Sequence, residues 1–222
     1  MRMTTIAAVL VAVGVCGVGS LVSNAKASTL IPYPSRSVEN PATYTFTAIA
    51  DGSVTAYFAG SGAAFSEVVG MTVNGIPTGI TGLNDHTSHI GDSLVLGSVS
   101  KGDKIVFFDK ELDLQNPDTW YSDLALNRDH EQHAYSTLYD SNSHLLNGAI
   151  PSGVYVGFED LSKDGARGTP NFDYLDDTFV VTNVATNVTP LPGALPLFAT
   201  GLGGLVLLGW RRKRKTASPV AE

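Results

Sequence analysis

The chain has 222 residues, 43% hydrophobic and 16% charged, with 23 Gly, 11 Pro and one Cys. This excludes a disulfide scaffold, a long coiled coil and a charged disordered chain, and it leaves room for one or at most two small domains. The formal net charge of −7 hides an asymmetry: between Ser28 and Thr189 seven basic residues face twenty acidic ones, a balance of −13. So acidic a segment repels a phosphate backbone, which argues against nucleic acid as a partner and in favour of cations.

Residues 1–27 carry Arg2, an apolar run over 6–18 and the small-residue site Ala25-Lys26-Ala27, the pattern of a secretory signal peptide cut before Ser28. The only cysteine, Cys16, lies inside that leader, so the exported part must be stabilised by burial or bound metal instead of disulfides. Residues 28–40, with Pro32, Pro34 and several serines, read as an extended arm.

From 41 to 184 short runs of alternating apolar and polar residues are separated by turn residues, and no helix period persists. This predicts an all-β domain, an antiparallel β-sandwich or jelly-roll-like fold. Strands are expected over 43–50, 54–59, 67–73, 104–109, 134–139, 153–158 and 178–184. The first two are read as a hairpin about Asp51-Gly52, and Asn74-Gly75 is a second turn signal. Residues 185–190 read as a linker. Residues 191–210 are uncharged and followed by Arg211, Arg212, Lys213, Arg214 and Lys215. Twenty residues of helix cross a hydrocarbon core of about 30 Å, with the basic run held in the cytoplasm. Residues 216–222 read as a disordered tail.

The densest acidic cluster flanks one expected hairpin. Glu159 and Asp160 end one strand, Asp173, Asp176 and Asp177 open the next, and residues 161–172 form the loop. Antiparallel pairing brings the two acidic groups together at the loop base, where five carboxylates repel unless a cation or proton intervenes. Hard oxygen donors at this density suit Ca²⁺; the alternative is a solvated loop. The pairs His86/His89 and His130/His133, and His144, fall in loop-like segments without a cysteine to complete a zinc site. No nucleophile elbow or phosphate loop occurs, so a non-enzymatic role is expected. Paired carboxylates leave glycan cleavage as the alternative from another class.

Two resemblances sharpen this reading. Pro190, Leu191 and Pro192 with the following Gly-Ala-Leu-Pro-Leu, the Gly-rich span and the basic run Arg211, Arg212, Lys213 resemble the C-terminal sorting signal of exosortase substrates, the PEP-CTERM proteins of Gram-negative bacteria, in their VPLPA-type variant. The resemblance implies an exosortase-like membrane protease-transpeptidase as partner. It also implies passage through the inner membrane with the C-terminus cytoplasmic, then delivery to the cell surface or extracellular matrix; a permanent membrane anchor is the alternative. The string Val156-Gly157-Phe158-Glu159-Asp160-Leu161, followed by Asn171-Phe172-Asp173-Tyr174-Leu175-Asp176-Asp177, is similar to the G-F-E-D-L…D-Y-N-D hallmark of a domain-of-unknown-function family. That family is common in exported bacterial proteins, and Asn127-Arg128-Asp129 with His133-Ala134-Tyr135 resembles its upstream segment. The resemblance implies a calcium-binding surface module, with Glu159, Asp160, Asp173, Asp176 and Asp177 as metal ligands, working in exopolysaccharide or biofilm matrix.

Overall fold

The computed structural model describes residues 31–190, apart from 114–116, 144–145, 147–149 and 165–166. The leader, the apolar span, the basic run and the tail lie outside the described residues. Among the described residues no helix is long and apolar enough to cross a membrane.

Eleven strands build two antiparallel sheets. They are β1 (Ala42–Ala48), β2 (Gly52–Ser61), β3 (Glu67–Val73), β4 (Ile76–Gly82), β5 (Ser93–Val99), β6 (Lys104–Glu111), β7 (Thr119–Tyr121), β8 (Ala134–Tyr139), β9 (Gly153–Phe158), β10 (Asp177–Thr182) and β11 (Val184–Pro190). One sheet has the order β11-β1-β6-β3-β4, with β7 pairing the end of β6; the other has the order β5-β2-β10-β9-β8. The fold is thus an all-β sandwich, with only short 3₁₀ turns at Leu124–Leu126 and Ser141–Ser143 among the described residues.

The alternation of side chains along each strand sets the core. Phe46 from β1, Val69 and Met71 from β3, and Ile105 and Phe107 from β6 meet Val54 and Phe58 of β2, Val156 and Phe158 of β9, and Phe179 and Val181 of β10 between the sheets. Each such side chain removed from water contributes about 1.5–3 kcal/mol. The second sheet is also covered on its outer face, where Tyr155 and Val180 pack with Tyr139, Leu146 and Ile150. Both faces of β9 and β10 are therefore dry, which explains why 153–158 and 178–182 read as nearly continuous apolar runs.

Three sequence expectations are corrected. β1 and β2 do not form a hairpin: β1 pairs with β11 and β6, whereas β2 pairs with β10 and β5. Both strands carry an inward apolar row, and the chain about Asp51-Gly52 arches from one sheet to the other so that the two rows face each other. Asn183, at φ 63° between β10 and β11, fastens this arch. Its Oδ1 accepts from the Ala50 N–H at 3.1 Å, and its Nδ2 donates to the carbonyls of Ala50 and Ser53. Second, residues 185–190 are not a linker but most of β11, registered with β1 from Ala42↔Pro190 to Ala48↔Val184. Third, the arm is anchored where it meets the domain: Tyr33 packs edge-on to Tyr135 and Tyr174, and Asn40 Nδ2 donates to the Tyr44 hydroxyl at 2.6 Å. The expected turn at Asn74-Gly75 joins β3 to β4 with φ 51° and 83°, the left-handed pair that a two-residue hairpin turn requires.

Candidate metal centre

Three of the inward rows end in a carboxylate at the same end of the sandwich. The β3 row begins Glu67, Val69, Met71; the β6 row ends Phe107, Asp109, Glu111; and the β10 row begins Asp177, Phe179, while Glu159 and Asp160 follow the end of β9. Antiparallel pairing aligns these ends, with Glu67 opposite Glu111 and Asp177 opposite Phe158. The apolar core is therefore closed at this end by a layer of acid groups. Glu67, Asp109, Glu111 and Asp177 are fully buried, and Glu159, Asp160 and Asp176 are buried to within a few per cent.

The layer resolves into two trios, each offering one oxygen per residue within 4.8 Å of the others. The first is Glu159, Asp160 and Asp176. The backbone N–H groups of Phe172 and Asn171 favour the charged form of Glu159, the Asp160 N–H donates to Asp176 Oδ2 at 3.1 Å, and Glu159 Oε2 is left without a partner. The second trio is Glu67, Asp109 and Asp177, none of whose six carboxylate oxygens has a hydrogen-bond donor in good geometry. Oxygens sharing a cation shell of radius 2.3–2.6 Å lie at most about 5 Å apart, so both trios have dimensions that could hold a metal ion.

Burial and mutual repulsion push these groups away from ionisation. Desolvation, then the Asp160 charge, raises Glu159 to about 7. Desolvation, then Glu111, raises Asp160 to about 6. Desolvation, then Asp160 and Glu159, raises Asp176 to about 9. In the inner trio Glu67, Asp109 and Asp177 are all driven strongly upward, first by desolvation and then by neighbouring carboxylates. Each group must be neutralised by a proton or by a cation.

The basic residues nearby serve the rim. Arg167 pairs with Glu111 and with Asp118; Arg128 makes a two-pronged contact with Asp118 and a 2.7 Å bond to Asp164; Lys163 joins Glu39 and Glu131. Among the described residues no salt bridge reaches either trio. Asp85 is held by the Glu67 N–H at 2.8 Å and the Ser61 hydroxyl at 3.2 Å, so it serves as a backbone clamp for the start of β3.

Asp129, Glu131 and His133 also converge, but hydrogen bonds account for Asp129 and His133, and Glu131 Oε1 pairs with Lys163, leaving only Glu131 Oε2 unpartnered. His133 Nδ1 lies 2.7 Å from the Glu159 carbonyl oxygen and Nε2 lies 3.0 Å from Asp129 Oδ2, so no ring nitrogen is left for an ion. The ring stacks on Trp120 at 3.8 Å, while the His133 carbonyl accepts from the Glu159 N–H. His133 thus positions the strand end that carries Glu159.

The five ligands expected from sequence are distributed, not gathered. Glu159, Asp160 and Asp176 share one trio; Asp177 turns the other way, into the inner trio; Asp173 joins neither and accepts from the Leu175 N–H at 3.1 Å. Asp173 sits between Phe172 at φ 49° and Tyr174 at φ 55°, left-handed conformations that bulky residues rarely adopt. This reversal leads the loop back to the entry of β10. It is held by the buried Tyr174 hydroxyl, which accepts from the Asn40 N–H at 2.7 Å and donates to the Gln132 carbonyl at 3.0 Å. Gly157 is required beneath it, since a Cβ there would lie 2.3 Å from the Tyr174 carbonyl oxygen. Sequence reading missed Glu67, Asp109 and Glu111. Their signal is present: each occupies an inward-facing position where its strand otherwise places Val, Met or Phe. No protein-family model, curated protein or solved structure matches the chain, and the site is therefore read from its own geometry.

Proposed function

We propose that the protein is an exported module of the cell surface or extracellular matrix, passed through the inner membrane, sorted by an exosortase-like protease-transpeptidase and associated with exopolysaccharide or biofilm matrix. Its sandwich is locked at one end by Ca²⁺. The observation that carries the metal part is the buried trio Glu159, Asp160 and Asp176, with its unpartnered Glu159 Oε2. All three donors are hard oxygens, and neither Cys nor His takes part, which suits Ca²⁺ better than a softer ion. The trio joins the strand end after β9 to the entry of β10 across the intervening loop. Binding there fixes the loop against the sheet and offers a rigid surface to an acidic glycan or another copy. The acids are buried and close together, whereas glycan cleavage needs two carboxyl groups about 5–9.5 Å apart across an open cleft; this favours holding an ion over cleaving a sugar.

Thermal melts of the full chain with a chelator and across a Ca²⁺ series test the metal. An ion bound only by the folded state raises the midpoint progressively, and an unchanged midpoint would remove Ca²⁺ from the account. Mass analysis of the mature chain tests the sorting: loss of everything beyond about Pro192 supports it, and an intact Lys215 end means permanent anchoring.

A further inference from the structure

We propose that the acidic end holds a second divalent cation, bound by Glu67, Asp109 and Asp177, and that this ion ties one sheet of the sandwich to the other. The inference rests on the reading of this end as a cation site, and it adds an ion and ligands that the hairpin loop does not supply.

Three observations carry it. First, the ligands come from both layers: Glu67 and Asp109 lie on the neighbouring strands β3 and β6 of one sheet, where Asp109 pairs with Val69, and Asp177 enters from β10 of the facing sheet. Sheets in a sandwich lie about 10 Å apart, and side chains reaching in from both sides bring one oxygen each within 4.8 Å of the others. Second, all six oxygens lack a hydrogen-bond donor in good geometry although the three side chains are 0% exposed. Elsewhere at this end three buried acids each have at least one oxygen paired: Asp85 with the Glu67 N–H and the Ser61 hydroxyl, Asp176 with the Asp160 N–H, Glu111 with Arg167. The inner trio is thus a set of desolvated acceptors directed at one another, with one oxygen of each within 4.8 Å of the others, and hard oxygen donors suit Ca²⁺.

Third, the two trios share one short stretch of chain at the entry to β10. Successive side chains of a strand point to opposite sides. Asp177 follows the inward parity of Phe179 and Val181, while Asp176, one residue earlier, joins Glu159 and Asp160. The Asp176-Asp177 pair therefore supplies one ligand to each site. The adjacency of Asp176 and Asp177 in the chain places the two sites side by side. The first ion fastens a loop to its own sheet, and the second fastens sheet to sheet.

Counting bound Ca²⁺ on the full chain by native mass spectrometry and by titration calorimetry tests the pair of sites. Asp109→Asn and Glu67→Gln remove inner ligands, Asp176→Asn removes an outer one, and all three are near-isosteric. The expected result is two ions on the unaltered protein and one on each variant, with the Ca²⁺-induced rise in melting midpoint cut by about half in the inner variants. One ion on the unaltered protein that persists in both inner variants would overturn the second site and leave the proposed function standing. A single ion lost from the inner variants but kept by Asp176→Asn would establish the inner site and refute the outer one. No ion on any form overturns both. If Asp109→Asn fails to fold, Glu67→Gln alone decides, since its neutral amide takes the place of one buried acid and leaves the other two.

Discussion

The two ends of the sandwich use the same residue types in opposite ways. At one end the chain crosses between sheets three times, near Asp51, near Asp103 and at Asn183, and its polar groups lie at the surface bound to backbone. Asp103 accepts from the Ser100 N–H at 2.7 Å and from Asn74 Nδ2 at 2.9 Å, and these bonds hold its carboxyl below the ordinary range. Asp51 accepts from the Lys101 N–H at 2.7 Å. At the other end Asp109 and Asp177 are fully buried with no well-placed donor, and their ionised forms are strongly disfavoured. The difference teaches that an acid in this fold is a local turn device where water and N–H groups reach it. Where a core row ends in it, it becomes a demand for an external charge.

If that contrast is correct, the ends must respond differently to pH, to Ca²⁺ and to mutation. The largest effect is expected from pH without metal. Glu159, Asp160 and Asp176 titrate near 7, 6 and 9 in the folded chain, against about 4 when unfolded, so the native state holds the extra protons. The resulting stability is present in full below about pH 4 and is lost as pH rises through 6, 7 and 9. Each extra proton held by the folded chain costs it about 1.4 kcal/mol of stability for every rise of one in pH. Denaturant titrations in chelator should therefore lose several kcal/mol between about pH 5 and about pH 9. A flat profile over that range would break the comparison.

Next comes Arg167→Ala, which strips the fully buried Glu111 of its counter-charge and should cost about 3–5 kcal/mol in denaturant titrations at pH 8 in chelator. Asp176→Asn sharpens the comparison by changing sign with conditions. In chelator at pH 8 it should be neutral or stabilising, because it removes one buried acid that resists ionisation. In Ca²⁺ at about 100 times its Kd it should forfeit much of an increment of about 2.7 kcal/mol, read as melting midpoints with and without the ion. The smallest expected effect lies at the arch end. Asn183→Ala loses three hydrogen bonds and places Ala at a left-handed position, for about 1–2 kcal/mol, whereas Asn183→Gly recovers about 1 kcal/mol of that. Neither cost should depend on Ca²⁺, and a dependence would show the two ends to be coupled.

Much of the strand content was legible because alternation and apolar runs are local. The spans 67–73, 134–139 and 153–158 coincide with β3, β8 and β9. β4 and β5 escaped notice because Ile-Pro-Thr-Gly-Ile-Thr-Gly and Ser-Leu-Val-Leu-Gly-Ser-Val are rich in turn-forming residues; packing against β3 and β2 keeps them extended. β11 resembled a linker because Ala-Thr-Asn-Val-Thr-Pro over 185–190 holds a single large apolar residue, and only its full-length pairing with β1 makes it a strand. The hairpin that gathers Glu159, Asp160 and Asp176 was visible as two acidic clusters flanking one loop. The inner trio was not, since Glu67, Asp109 and Asp177 lie 42 and 68 residues apart in the chain.

By itself the sequence determined that the domain is all-β, that its centre is acidic and that its stability does not rest on disulfides, because periodicity, charge and cysteine count are properties of neighbouring residues. The tertiary structure alone decided which acids meet and which are dry. Strand order brings β3, β6 and β10 together across two sheets, and burial converts their terminal carboxylates from solvated charges into unsatisfied oxygens. A carboxylate's chemistry depends on the dielectric and the donors around it, and those are set by how the sheets pack.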